Sequence, residues 1–169
     1  MTNLTAQLNI SQSCNHAAFV HFSSPDERTA VAFSLMDHNS QSEIEQIVNS
    51  INPLQVNGIS DIDYGLKMAM THVLVPSQRR SDASTYVILI SEGYWDSAVN
   101  CCTVPFTTAT QLAEQVDQVI TIGLPVNQPF VPINYHLYRI TNRLDAANMY
   151  DTTDYMQIAD RICNGVACC

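Results

Sequence analysis

Apolar residues fall along this chain in two alternating patterns, short continuous runs and longer stripes at helical spacing. Ala17-Ala18-Phe19-Val20-His21-Phe22 is a run bounded by Cys14-Asn15 and Ser23-Ser24-Pro25, which predicts a strand ended by a turn. Residues 29–35 predict a second strand, joined to the first as a hairpin. Ser40 stands three residues before Glu43 and ahead of Ile44, Ile47, Val48 and Ile51, the signature of a capped amphipathic helix that Pro53 ends. After a turn at Asn57-Gly58, residues Ile62, Leu66, Ala69 and Val73 share one helical face, with Pro76 just past its end. Tyr86-Val87-Ile88-Leu89-Ile90 is apolar without alternation, as expected of a parallel strand covered on both faces. Phe106, Ala109, Leu112, Ala113 and Val116 form the next helical stripe, and Val119-Ile120-Thr121-Ile122 is a second buried run before Gly123. Ile133, Leu137, Ile140 and Leu144 mark another helix. Asn148-Met149-Tyr150 reads as a short strand, and Tyr155, Ile158 and Ile162 as a last helix after Thr152-Thr153.

Helices alternating with short apolar strands predict an α/β fold: a Rossmann-like, doubly wound, mostly parallel sheet with one antiparallel edge strand. The adjacent parallel pair is expected to be 86–90 and 119–122, with the Ile44 and Ile62 helices packed on the sheet. Ligands of such sheets bind beyond the carboxyl ends of the strands, which points to loops 23–27, 57–63 and 91–96.

Composition narrows this picture. The chain has 169 residues, 46% hydrophobic and 14% charged, enough for a single core without stapling. Seven basic residues against 16 acidic ones give a net charge of -9. With no basic run, a polyanion is repelled, so nucleic acid is not an expected partner. No stretch approaches the roughly 18 consecutive apolar residues of a membrane helix. The first thirty residues lack a basic start followed by an apolar stretch, so no signal peptide is expected within this chain. Six cysteines and two glycan-acceptor sequences, Asn3-Leu4-Thr5 and Asn9-Ile10-Ser11, nevertheless belong to secreted chains. Either the acceptor sequences are accidental and the chain is cytosolic, or the segment that directs it outward lies upstream of Met1.

Five segments carry a family resemblance. Phe22-Ser23-Ser24, Val31-Ala32-Phe33-Ser34-Leu35, Gly58-Ile59-Ser60-Asp61-Ile62-Asp63-Tyr64-Gly65-Leu66, Val87-Ile88-Leu89-Ile90-Ser91-Glu92-Gly93 and Val119-Ile120-Thr121-Ile122-Gly123-Leu124 occur in the order and spacing of a von Willebrand factor type A domain. The resemblance spans residues 1–163, followed by a Cys-rich tail over 164–169. The cysteine-bearing loop and tail look most like divergent nematode secreted copies, which often stand beside C-type lectin domains. The family implies a metal-ion-dependent adhesion site at the top of the sheet. It is built from an Asp-x-Ser-x-Ser loop after the first strand, a Thr in the second loop and an Asp after the fourth strand. A Mg²⁺ held there keeps one position open for a partner's carboxylate. Ser60 takes the Thr position and Glu92 the Asp position, both keeping oxygen donors. The first loop has no counterpart, because residues 1–10 align with the end of the family's first helix. The resemblance therefore implies a degenerate site, with no cofactor or a weakly bound Mg²⁺ or Ca²⁺. It also implies a sheet whose central first strand is missing, as in a truncated gene product.

The same residues have simpler roles. Ser60 is a favoured helix N-cap, with Asp61 and Asp63 in the first turn where acids complement the helix dipole. Glu92 before Gly93 fits a solvated turn. Asp61 and Asp63 alone lack the spacing of a calcium loop. Cys14, Cys101, Cys102, Cys163, Cys168 and Cys169 are disulfide candidates whose pairing the sequence does not choose, and no Cys or His spacing supports zinc. Ser91-Glu92-Gly93 follows a strand but lacks a Gly-x-Ser-x-Gly elbow, and no Gly-rich phosphate loop precedes a helix. The leading expectation is a non-enzymatic extracellular adhesion module that binds protein or glycan-bearing partners. Its binding surface is expected at Ser23, Ser24, Ser60, Asp61, Glu92 and Tyr94, with Asn3 and Asn9 as glycosylation candidates. An α/β hydrolase-like enzyme and a non-binding remnant are the alternatives.

Overall fold

The two runs that are apolar without alternation pair with each other at the centre of the fold. The structure, a computed structural model, describes residues 7–11, 13–23, 29–37, 40–51, 61–93, 105–124, 133–141, 146–151 and 154–163. Strand β3 (Tyr86–Ser91) runs parallel to β4 (Gln118–Gly123), with Val87 opposite Val119 and Ile90 opposite Ile122. A short third strand, β5 (Met149–Asp151), lies parallel on the other edge of β4. The hairpin also forms, with β1 (Phe19–His21) antiparallel to β2 (Ala30–Phe33). Both hairpin strands are shorter than their apolar runs. Asp37 accepts from the Ser34 amide at 2.7 Å and closes a turn that takes Leu35 and Met36 out of β2.

Helices cover both faces of the three-stranded sheet. On one face α2 (Ile62–Met68), α3 (Phe106–Ala113) and α4 (Ile133–Ile140) bury Ile62, Leu66, Ala109, Leu112, Leu137 and Ile140 against Leu89 and Val119. On the other, α5 (Tyr155–Ile162) packs Ile158 and Ala159 on Ile120 and Ile122. The remaining helix, α1 (Gln41–Ser50), lays Ile44 against Ile10 and Phe33 on the hairpin. As its sequence signature predicts, Ser40 caps α1, its hydroxyl accepting from the Glu43 amide at 3.4 Å. The turn Asn57-Gly58 and Leu144 lie outside the described residues.

Other boundaries differ from the sequence reading too: α3 ends at Ala113, short of Val116, and Asn148 lies in a 3₁₀ turn before β5. The sequence favours Ser60 as the cap of α2, but the helix takes Asp61, whose carboxylate accepts from the Tyr64 amide at 3.0 Å. Asp and Ser cap equally well, so the local sequence does not fix which of two adjacent candidates serves. The expected stripe through Val73 does continue, although as a π-helical turn over Ala69–Val73 rather than as α-helix.

Among the described residues the hairpin and the three-stranded sheet share no hydrogen-bonded ladder. Side chains join them instead. Phe22, just past β1, packs into the α2 cluster, and Leu8 packs against both the α5 and the α1 clusters. Gly65 is what lets Phe22 approach, because a Cβ there would lie 2.7–2.9 Å from Phe22 side-chain atoms. The loose join shows in the burial. Every one of the four central positions of β4 is buried, whereas in β3 Tyr86, Val87, Ile88 and Ile90 remain half-buried.

Two substitutions test this packing by urea melts. Gly65→Ala drives a methyl into the ring base of Phe22 and is expected to lower the unfolding free energy by about 1–3 kcal/mol. Thr121 is fully buried on β4, and its hydroxyl has no hydrogen-bond partner. Thr121→Val removes that unmet polar group at constant shape and is expected to raise stability by about 1 kcal/mol.

Candidate functional site

The end of β1 and the first turns of α2 and α3 meet at one corner of the fold. Ser91 ends β3, and the segment after it returns as α3, whose first turn carries Thr108. Thr108 donates to Asp63 Oδ1 at 2.5 Å across 45 residues of sequence, which locks the first turn of α2 to that of α3. Phe22 against Gly65 brings the end of β1 to the same corner.

The acids at this corner are already engaged. Asp63 is 4% exposed, and its second oxygen accepts from Lys67 Nζ at 2.6 Å, one helical turn on. A buried carboxylate with an ammonium on one oxygen and a hydroxyl on the other has its negative charge compensated within the protein. Asp61 is 6% exposed and spends its carboxylate on the α2 cap. Ser91 is buried, its hydroxyl accepting from the Gly93 amide at 3.1 Å, and Gly93 has a φ of 69°, in the left-handed region that a side chain resists. Ser91 is thus a turn-former within a closed local hydrogen bond, and no described histidine hydrogen-bonds to it. Ser23 is also buried. Its amide and carbonyl both bond Thr29 Oγ1, at 3.0 and 2.9 Å, closing the loop between the hairpin strands.

Of the six residues expected to form a binding surface, Ser23 and Asp61 are buried supports of the rim, while Glu92 is half-buried and reaches solvent. Ser24, Ser60 and Tyr94 lie outside the described residues, as do Asn3, Cys101, Cys102, Cys168 and Cys169. Cys14 and Cys163 are both disulfide-bonded. Sequence reasoning assigns no role to Thr108. Its contact with Asp63 is non-local, and nothing in the local pattern of a helical stripe marks it.

The donor set at this corner can be tested against the family's cation. Among the described residues no three His, Cys, Asp or Glu side chains converge. Asp63 already accepts from Lys67 and Thr108, and Asp61 from the Tyr64 amide. A hard divalent ion at this corner would need further converging oxygens beside these paired acids.

Comparison with known proteins agrees with this architecture. The family model for the von Willebrand factor type A domain matches residues 1–162. No curated protein sequence matches the chain. Among solved structures, proximal thread matrix protein 1 from the mussel byssus superposes with a TM-score of 0.74 at 20% identity, covering 99% of this chain and 39% of that one. A second crystal form gives 0.74 at 19% identity over 95% of this chain. A form of the same mussel protein with a zinc-occupied adhesion motif gives 0.72 at 18% identity. The chain thus spans 39% of the length of these neighbours.

Removing the cross-link between the two helix starts is expected to destabilise the whole corner. Thr108→Val leaves Asp63 Oδ1 buried without its donor and should cost about 1–3 kcal/mol in a denaturant melt. Asp61→Ala loses the α2 cap and should cost about 1 kcal/mol.

Proposed function

Because the chain belongs to the von Willebrand factor type A family, whose domains are typically interaction modules, we propose that it is a non-enzymatic extracellular module. It engages a protein or glycoprotein partner at the carboxyl ends of β1 and β3, with cation dependence weak or lost. The observation that carries this reading is the family match over residues 1–162, and the Asp63–Lys67–Thr108 cluster supports its cation half, since this buried acid is already paired within the protein. Glu92, half-buried at the rim, is the described acid that remains accessible to a partner, and Ser24, Ser60 and Tyr94 complete the surface. Two disulfide-bonded cysteines and the likeness to a byssus matrix protein support an oxidising, extracellular setting. The net charge of -9 favours a partner with a basic face.

Isothermal calorimetry with Mg²⁺ and Ca²⁺ tests the cation half of the proposal. The expected dissociation constant is no tighter than about 1 mM, at the weak end for extracellular sites. A micromolar constant lost in Ser60→Ala would overturn it. For the surface, the immobilised chain is offered a set of extracellular matrix proteins and glycoproteins. Capture should survive a chelator and fall in Glu92→Lys, which reverses the rim charge while leaving the core untouched. Labelling of the folded chain by a serine-directed activity probe would favour the hydrolase alternative instead.

A further inference from the structure

We infer that Asn9 is an N-glycosylation site, taking an oligosaccharide from a lipid-diphosphate-linked donor. The tripeptide Asn9-Ile10-Ser11 has the acceptor form with no proline in the middle. Such a tripeptide is common by chance, so the structure has to supply the rest. Asn9 is exposed, and its φ of 43° places it in the left-handed region that asparagine tolerates in tight turns. Ile10 is buried at 5% against Phe33 and Ile44, so the backbone on the C-terminal side of Asn9 is anchored. The chain carries disulfide-bonded cysteines, one of them Cys14 in the same turn, which places folding in the oxidising compartment where such glycans are added.

In the transfer the Asn9 Nδ2 forms a bond to C1 of the donor's first sugar. The bond from C1 to the diphosphate oxygen breaks, the lipid diphosphate departs, and one Nδ2 proton is lost. Nδ2 keeps its second hydrogen, so its donation to Cys14 Sγ at 3.6 Å stays available. The turn also lies away from the Ser23 end of β1. Ile10 bridges Asn15 ahead of β1, and Ser11 bridges Ser40 after β2, so this turn sits at the end of the hairpin where β1 begins. Ser23 and Glu92 lie at the opposite, carboxyl ends of their strands.

The test expresses the whole chain behind a cleavable leader in a eukaryotic cell line. Peptides are mapped after peptide N-glycosidase digestion in ¹⁸O water, in secreted and cell-retained fractions alike, because transfer accompanies entry and does not await export. Asn9 should appear as labelled Asp in most molecules whose leader has been cleaved. Asn9→Gln and Ser11→Ala should each remove one glycan's mobility shift, while Ser11→Thr retains it. Asn3→Gln, changing the other acceptor tripeptide, should leave the Asn9 label intact. Unmodified Asn9 in leader-cleaved chains would overturn the assignment, as would an unchanged shift in Ser11→Ala.

Discussion

The double-sided burial of β4 is the constraint from which the rest of this fold follows. Val119 and Ile120 are both fully buried although they face opposite sides of the sheet, and Thr121 and Ile122 repeat the arrangement. A strand of this kind has no solvent face, so it needs a strand on each edge and a helical layer on each side. β3 and β5 supply the edges. The layer of α2, α3 and α4 answers Val119, and α5 answers Ile120 and Ile122. Because all three strands run the same way, each crossover must return the chain to the opposite end, and every loop that follows a strand gathers at one rim. The Asp63–Thr108 contact joins the helix that leads into β3 to the one that returns the chain from β3 to β4.

The hairpin obeys a weaker constraint. It is tied to the three-stranded sheet by side chains, Phe22 seated over Gly65 on one side and Leu8 between two apolar clusters on the other. Side-chain packing without a shared ladder fixes position through volume, and Gly65 shows how tight that volume is. Half-burial of an otherwise wholly apolar β3 belongs to the same arrangement, since the strand is covered on its faces yet has one edge paired among the described residues.

What was legible in the sequence is what periodicity and caps encode locally. The runs 86–90 and 119–122 announced their parallel pairing through the absence of alternation, and Ser40 announced α1 through its spacing to Glu43. The register of the site was less legible. Ser60 and Asp61 are adjacent capping residues, and only the tertiary placement of α2 chooses Asp61. Thr108 looks like an ordinary helical threonine because its partner is 45 residues away. Ser23 and Asp61 looked like surface polar residues, yet both are buried, since in each case the backbone or side-chain oxygen closes a turn that the loop requires. Polar residues in loops thus divide into those that hold the rim and those that face outward, and residue type alone does not separate them.

That division bears on how an adhesion fold could change its chemistry without changing its architecture. A carboxylate at the start of α2 can be neutralised from outside by a divalent ion or from within by a lysine one turn along the same helix. Both supply positive charge at short range, but the lysine comes covalently attached and needs only an i,i+4 spacing that any helix provides. In this chain Lys67 and Thr108 each take one oxygen of Asp63, so a cation that ligated it would compete with partners already in place. In the module proposed above, the rim offers a fixed pattern of hydrogen bonds and a negative edge at Glu92, in place of an open coordination position. Selectivity in a surface of that kind comes from shape and charge complementarity, where a metal-dependent one requires the partner to present a carboxylate to the metal's shell.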